Sequence, residues 1–416
     1  MKRLVLLAAA VVAAFTSLAS AKAQEFAPLV QPETVSVSKL NLDKLTPELV
    51  SAQVAKLASS AIDYFVEDAE QAQELKETTP ILNIFITQYH STFVAPLQDA
   101  GVKNVYFIVE QAEDPEETLY PYVAIPTKNL TEAQLKDARN AMTSLNQQLN
   151  SALQYRFVRN GFLIAVIVPE ALDVDEDDVK AYVKKRFTKF NTVEKAEFAE
   201  GFKAADADAL LTTVSVAAKN EALVAKQLEQ LEDLFALLDD AEEDAQELAQ
   251  KTKDLVQFCS ELNLKCADLV KFSVCDVNLD KLELVSRAYA NSAADAKKYV
   301  SLVNDDLVGK FNELLDSVVA KVAEEIEDED DAPVSKEEIE ELIPVVKNLF
   351  TSLLKMNAED DVVVWKMNGE FWTENKESVG KIVSVVTEKL AEINGELDFD
   401  EDEDEDDDEE IDLDAE

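Results

Sequence analysis

Apolar positions switch between two periods along this chain, and the switches mark its elements. Val35, Val37 and Leu40 alternate with polar neighbours, which predicts a half-buried strand from Glu33 to Leu40. Val50, Val54, Leu57, Ala58, Ala61, Ile62, Phe65 and Val66 then keep a helical period behind Thr46-Pro47, a cap and first-turn pair. Pro80 interrupts the helical region, a second apolar set follows (Ile81, Leu82, Ile84, Phe85, Tyr89), and Gly101 ends it. Val102 to Gln111 and Tyr120 to Ile125 read as strands around an acidic turn. A helix runs from Thr131 to Leu153 with Leu135, Ala138, Met142, Leu145 and Leu149 on one face. Tyr155 to Val158 and Phe162 to Val168 make a hairpin around Asn160-Gly161, a pair suited to a type I′ turn because both residues need positive φ.

The order then repeats. Thr34-Val35-Ser36-Val37 returns as Thr213-Val214-Ser215-Val216, inside a strand from Leu210 to Val216. A long acidic helix to Leu262 follows, with strands from Val270 to Val277 and Leu282 to Ala290 and a helix from Ala293 to Ile326. The second copy is longer, gaining an acidic segment and a helix from Ser335 to Met356 that opens on a Ser335/Glu338 capping box. Its closing hairpin is expected around Asn368-Gly369, with Trp365 and Trp372 as a cross-strand pair. A last helix is expected from Lys376 to Ile393.

The fold class this predicts is α+β: two related β-α-β-β-α-β-β modules, with antiparallel or mixed sheets and long helices on one face. Each module has strands enough for its own sheet, so two similar domains are the preferred arrangement, although a shared sheet is not decided by the pattern. The boundaries are a signal peptide over 1–23, module one over 24–174 and a helical bridge over 175–207. Module two covers 208–394, with an acidic insertion at about 323–335, and a disordered acidic tail covers 395–416. The leader rests on Lys2-Arg3, an apolar run from Leu4 to Leu18, and Ala21-Lys22-Ala23 as a small-x-small cleavage pattern. No other stretch is apolar enough to span a bilayer.

Charge narrows the partners. The chain carries 85 acids against 39 bases, a formal net charge of −46. Phosphate backbones need a basic footprint, so nucleic acid is excluded, and the expected partners are divalent cations or a basic protein. Dense like charge in the tail cannot pack without a partner.

Candidate chemistry is sparse. His90 is the only histidine; it lies in a helical region with no nucleophile elbow anywhere, so it reads as a structural or surface residue. Seven glycines, none in a phosphate-cradling pattern, leave no nucleotide loop, and no cofactor is expected. Cys259, Cys266 and Cys275 permit one disulfide plus a thiol, or three thiols. Cys259 and Cys266 stand about 10 Å apart on an unbroken helix, too far to bridge. A Cys266–Cys275 bridge stays open, and three buried small hydrophobes are the favoured reading. Acidic runs lack the central glycine of an EF-hand, which leaves only diffuse cation binding at Asp400, Asp402, Asp404, Asp406, Asp407 and Asp408.

Four stretches, GVKNVYFIVEQ (101–111), YPYVAIP (120–126), RNGFLIAV (159–166) and FAEGFKAADADALLTTVSVAA (198–218), follow the leader in an order that resembles a family of uncharacterised exported proteins of planctomycete-type bacteria. That resemblance implies export and brings no activity or ligand. The expectation is a non-enzymatic binding or structural protein of the cell envelope: periplasmic, on the cell surface or secreted. The alternatives are a carboxylate-dependent hydrolase with a cleft between the modules, and a low-affinity calcium buffer.

Overall fold

The computed structural model describes residues 25–65, 90–148, 153–168, 176–217, 243–327 and 336–382. Positions 113, 115, 116, 118, 189 and 372 are left out, and isolated positions at 73–88 and 221–225 are added. The leader, the last part of the closing helix and the acidic tail lie outside the described residues.

Among the described residues the spine is one sheet of ten strands. These are β1 Thr34–Asn41, β2 Asn104–Glu110, β3 Tyr122–Pro126, β4 Leu153–Arg159, β5 Phe162–Ile167, β6 Leu211–Val216, β7 Val270–Asn278, β8 Glu283–Ala290, β9 Met356–Glu359 and β10 Val362–Met367. Their order is β4-β5-β3-β2-β1-β6-β7-β8-β10-β9, and every pairing is antiparallel. From the centre outward one half reads β1-β2-β3-β5-β4 and the other β6-β7-β8-β10-β9.

The halves meet where β1 pairs with β6. Ser36 lies opposite Ser215 and Val37 opposite Val214. The Ser36 and Ser215 hydroxyls are 3.0 Å apart, and the Thr213 hydroxyl donates to that of Ser38. The preferred arrangement of two separate sheets is therefore corrected to one continuous sheet. The reason is edge chemistry: apart, β1 and β6 would each expose a row of unpaired backbone groups, and pairing them buries both.

Helices cover this sheet unequally. α1 Pro47–Phe65, α2 Ala95–Asp99 and α3 Glu132–Gln148 belong to the first half. Thr46 caps α1, its hydroxyl accepting from Leu49 N at 3.2 Å, and Thr131 and Gln134 cap α3 reciprocally at 3.0–3.3 Å. α2 and α3 bury Leu97, Ala138, Ala141 and Met142 against Val105, Val123, Ile125, Leu163 and Ala165. On the opposite face lie α4 Glu176–Thr188, α5 Ala196–Ala204 and the segment 26–30. Here Phe26, Leu29, Val179, Phe187, Phe198 and Phe202 pack on Val37, Ile108, Tyr122, Ile164 and Val166. Helices on one face only is thus wrong for this half: β3 and β5 are apolar on both sides, as doubly covered strands must be. α5 approaches closely, since a Cβ on Gly201 would collide with the Val214 side chain. The same core takes in Val214, Phe272 and Val274, so it runs across the join.

The second half carries α6 Glu243–Leu269, α7 Ala293–Ser301, α8 Val308–Glu327 and α9 Lys336–Leu354. α7 joins α8 through a π-helical turn, Leu302–Leu307. Ser292 caps α7 by accepting from Asp295 N at 3.2 Å. α7 packs on Ala288, Ala290, Val363, Met356 and Ala358, which share one face of β8-β10-β9.

The two Asn-Gly pairs part ways. Asn160 (φ 50) and Gly161 (φ 82) turn the β4–β5 hairpin in the expected I′ conformation. Asn368-Gly369 turns nothing. Asn368 accepts at 3.1 Å from Glu370 N and Phe371 N, and residues 369–371 and 373–382 are helical, so it is an N-cap. The second hairpin is instead β9–β10, turned at Asp360 (φ 53) and Asp361. Trp365 accordingly faces Met356 and Ser286 across the strands rather than Trp372, which lies outside the described residues. Asn serves turns and caps through the same short acceptor side chain, which is why the dipeptide alone misled.

Candidate functional site

Cross-strand registers align two equivalent rows of side chains on one face of the sheet. In the first half Val37, Ile108, Tyr122 and Val166 stand side by side. In the second, Val216, Phe272, Tyr289 and Val362 do. Val37 and Val216 are the matching valines of the repeated Thr-Val-Ser-Val, so the rows correspond position by position.

Their environments differ. All four members of the first row are 0 % exposed. α4 lies over them, with the Phe187 ring 5.2 Å from Tyr122 and perpendicular to it, and the Tyr122 hydroxyl donates to Leu29 O at 2.9 Å. In the second row Phe272 is buried, but Val216, Tyr289 and Val362 are half-buried. Tyr289 stacks on Phe272 at 4.6 Å. Beside them on this face Arg287 and Val364 are half-buried, and Asn357, Glu359 and Lys366 are exposed. The helix serving these strands, α7, is on the other side.

Each half also buries a carboxylate with an arginine. Glu110 accepts from Arg186 at 2.9 and 3.0 Å and from the Gln31 amide at 3.0 Å. Arg186 reaches Glu33 at 2.7 Å as well, which ties α4 to the sheet. Burial holds Glu110 above the ordinary carboxylate value, with Arg186 opposing. Burial also pushes Glu33 up, but its bond to Arg186 and the surrounding positive charge outweigh that and hold it below the ordinary value. Lys195 is lowered by burial while donating to Pro32 O and Thr34 O at 2.7 and 2.8 Å. In the second half Asp276 meets Arg287 at 2.6 Å and accepts from Asp206 N at 3.1 Å. Burial raises Asp276, whereas Asp208 N and Lys281 hold Asp206 below its usual range. Lys39, on the central strand, is lowered by burial, with Glu25 and Asp43 opposing. The carboxylates and arginines satisfy one another, and the pairs clamp α4 and the loop at Asp206 to the sheet.

The residues singled out from sequence scatter. His90 sits in a π-helical turn with Nε2 3.0 Å from Leu45 O, a bond that tethers that turn to the start of α1. All three cysteines are free thiols; Cys266 and Cys275 are buried and Cys259 is exposed, so three buried thiols is corrected to two. Burial pushes Cys266 up to about 11. Asp400, Asp402, Asp404, Asp406, Asp407 and Asp408 lie outside the described residues, and among those described no acidic, cysteine or histidine group is disposed to hold a metal. A shallow open hollow between α2 and α3 is lined by Asp99, Asp137, Asn140 and Ser144. The open row is not legible in the sequence because its members lie far apart along the chain, from Val216 to Val362, and only strand register brings them together.

Compared with family models, curated proteins and solved structures, the chain has no significant match in any of the three.

Proposed function

We propose that this is an exported, non-enzymatic binding protein of the cell envelope, built from two copies of one unit. The observation that carries the binding role is the half-exposed row Val216, Tyr289 and Val362, whose counterparts in the other half are completely buried. Two points support duplication. The strand order is the same in both halves, and the repeat aligns Ser36 with Ser215, the pair facing each other at the join. A two-fold relation between the halves requires one such self-matching pair.

The net charge of −46 supports a basic partner or divalent cations, gathered by the acidic tail from Glu396 to Glu416. No described helix is long and apolar enough to cross a membrane. Polylysine should bind the intact chain with an affinity that drops steeply as salt rises. Removing 396–416 should weaken that binding and flatten its salt response; an unchanged response sinks the tail's role. Export is checked by sequencing the amino terminus of the protein from envelope fractions, which should begin at Gln24.

A further inference from the structure

In the first half, the cover over the Tyr122 row has a definite chemistry. α4 presents Tyr182, Val183 and Phe187 to the sheet core. Residues 179–188 also carry Lys180, Lys184, Lys185 and Arg186 with no acid, in a chain where acids outnumber bases 85 to 39. Those bases engage acids around the row: Arg186 pairs with Glu33 and Glu110, and Lys185 with Glu117 at 3.1 Å.

The second half repeats the surface, but α5 reaches only β6 and β7, and among the described residues the helix that packs on β8, β10 and β9 is α7, from the other face. Tyr289 and Val362 supply the aromatic and aliphatic positions that Tyr122 and Val166 supply in the first. The rim is acidic. Glu359, Asp360 and Asp361 are exposed at the β9–β10 turn beside Val362 and, among the described residues, have no ion-pair partner. Asp361 is close enough to act electrostatically on the Tyr289 hydroxyl. Lys366 and Arg287, the bases on the face, are already paired with Glu283 and Asp276.

We propose that the open face of β8, β10 and β9 docks an amphipathic helix of a partner protein, aromatic and aliphatic on one side and basic along its flank. The face is apolar where such a helix would bury its ring, and negatively charged where its bases would lie. A second copy of this chain fits less well, because two surfaces carrying the same acidic rim repel. The inference rests on the binding role proposed above but not on the acidic tail.

The test uses a fluorescent peptide copying residues 176–190 as probe and the full-length chain as target. The peptide should bind saturably, and the affinity should fall at least about tenfold with Val362→Glu, as for loss of a central anchor. Reversing the rim with Asp361→Lys should weaken binding and reduce its salt dependence. This second variant changes an exposed side chain and keeps the test valid if Val362→Glu unfolds. Removing 396–416 should leave the loss caused by Val362→Glu intact, so failure of the tail's role and failure of the docking face give different results. Four results would overturn the proposal. The peptide does not bind; it binds both variants as tightly as the unaltered chain; it binds only after removal of 383–416, which makes this chain's own C-terminal segment the occupant; or the chain is a dimer that Asp361→Lys or Val362→Glu dissociates, which makes a second copy the occupant.

Discussion

Arg186 neutralises a carboxylate that is otherwise shut inside the fold. Glu110 has a fully buried side chain, and Arg186 is the one cation in direct contact with it among the described residues. Arg186→Met should cost about 3–5 kcal/mol, the range for stranding one partner of a buried pair. The loss should depend on pH. Burial, opposed by Arg186, already sets Glu110 above its unfolded value, so its penalty is absent below that value and complete above the folded one. Glu33, held low, has the opposite sign: its contribution is present above the ordinary carboxylate value and fades as pH falls. Without Arg186, Glu110 moves further up, so the variant should regain part of its lost stability between about pH 8 and about pH 5. Urea unfolding at both values checks this, and a pH-independent gap would contradict it. The two equivalent tyrosines give a second residue-scale contrast. Tyr122→Ala should cost about 3–5 kcal/mol as a buried aromatic, while Tyr289→Ala should cost about 1 kcal/mol, since chiefly its stacking on Phe272 is lost. None of this was legible in sequence. With 85 acids in the chain, no spacing marks Glu110 as the one that folding buries.

Local chemistry reads well at the scale of elements, up to the point where one residue type serves two purposes. Thr46-Pro47 opens α1 and Asn160-Gly161 closes the β4–β5 hairpin as their sequences imply. Asn368-Gly369 carries the same two letters and caps a helix. The difference predicts opposite effects from one substitution. At Gly161, with φ of 82°, alanine has space but the wrong backbone region, so Gly161→Ala should destabilise by about 1–2 kcal/mol. At Gly369, helical and with no atom close to an added Cβ, Gly369→Ala should stabilise by up to about 1 kcal/mol. Paired thermal melts decide it, and loss of stability at both sites would restore the turn at Asn368-Gly369. The β9–β10 turn was harder to see, because Asp360 must adopt positive φ with only a modest local signal for it.

At the scale of the molecule, alternation within each strand marked which faces are buried, but not which strand neighbours which. The repeat implied two like units and left their union open; pairing β1 with β6 merges them, because Val37, Val214, Phe272 and Val274 then share one core with Phe198 and Phe202 of α5. That sharing has a thermodynamic consequence. Neither half can unfold without opening a core that the other half completes and exposing the edge of its central strand. Equilibrium unfolding should therefore be a single transition that coincides for tryptophan fluorescence, whose described reporter Trp365 lies in the second half, and for hydrogen exchange at β3 and β5 in the first. Residues 25–207 expressed alone should self-associate or fail to fold, because β1 loses its partner and Phe198 and Phe202 lose Val214 and Phe272. A monomeric 25–207 fragment with its own sharp unfolding transition would show that the join contributes little. The continuous sheet would then be two independent units lying edge to edge.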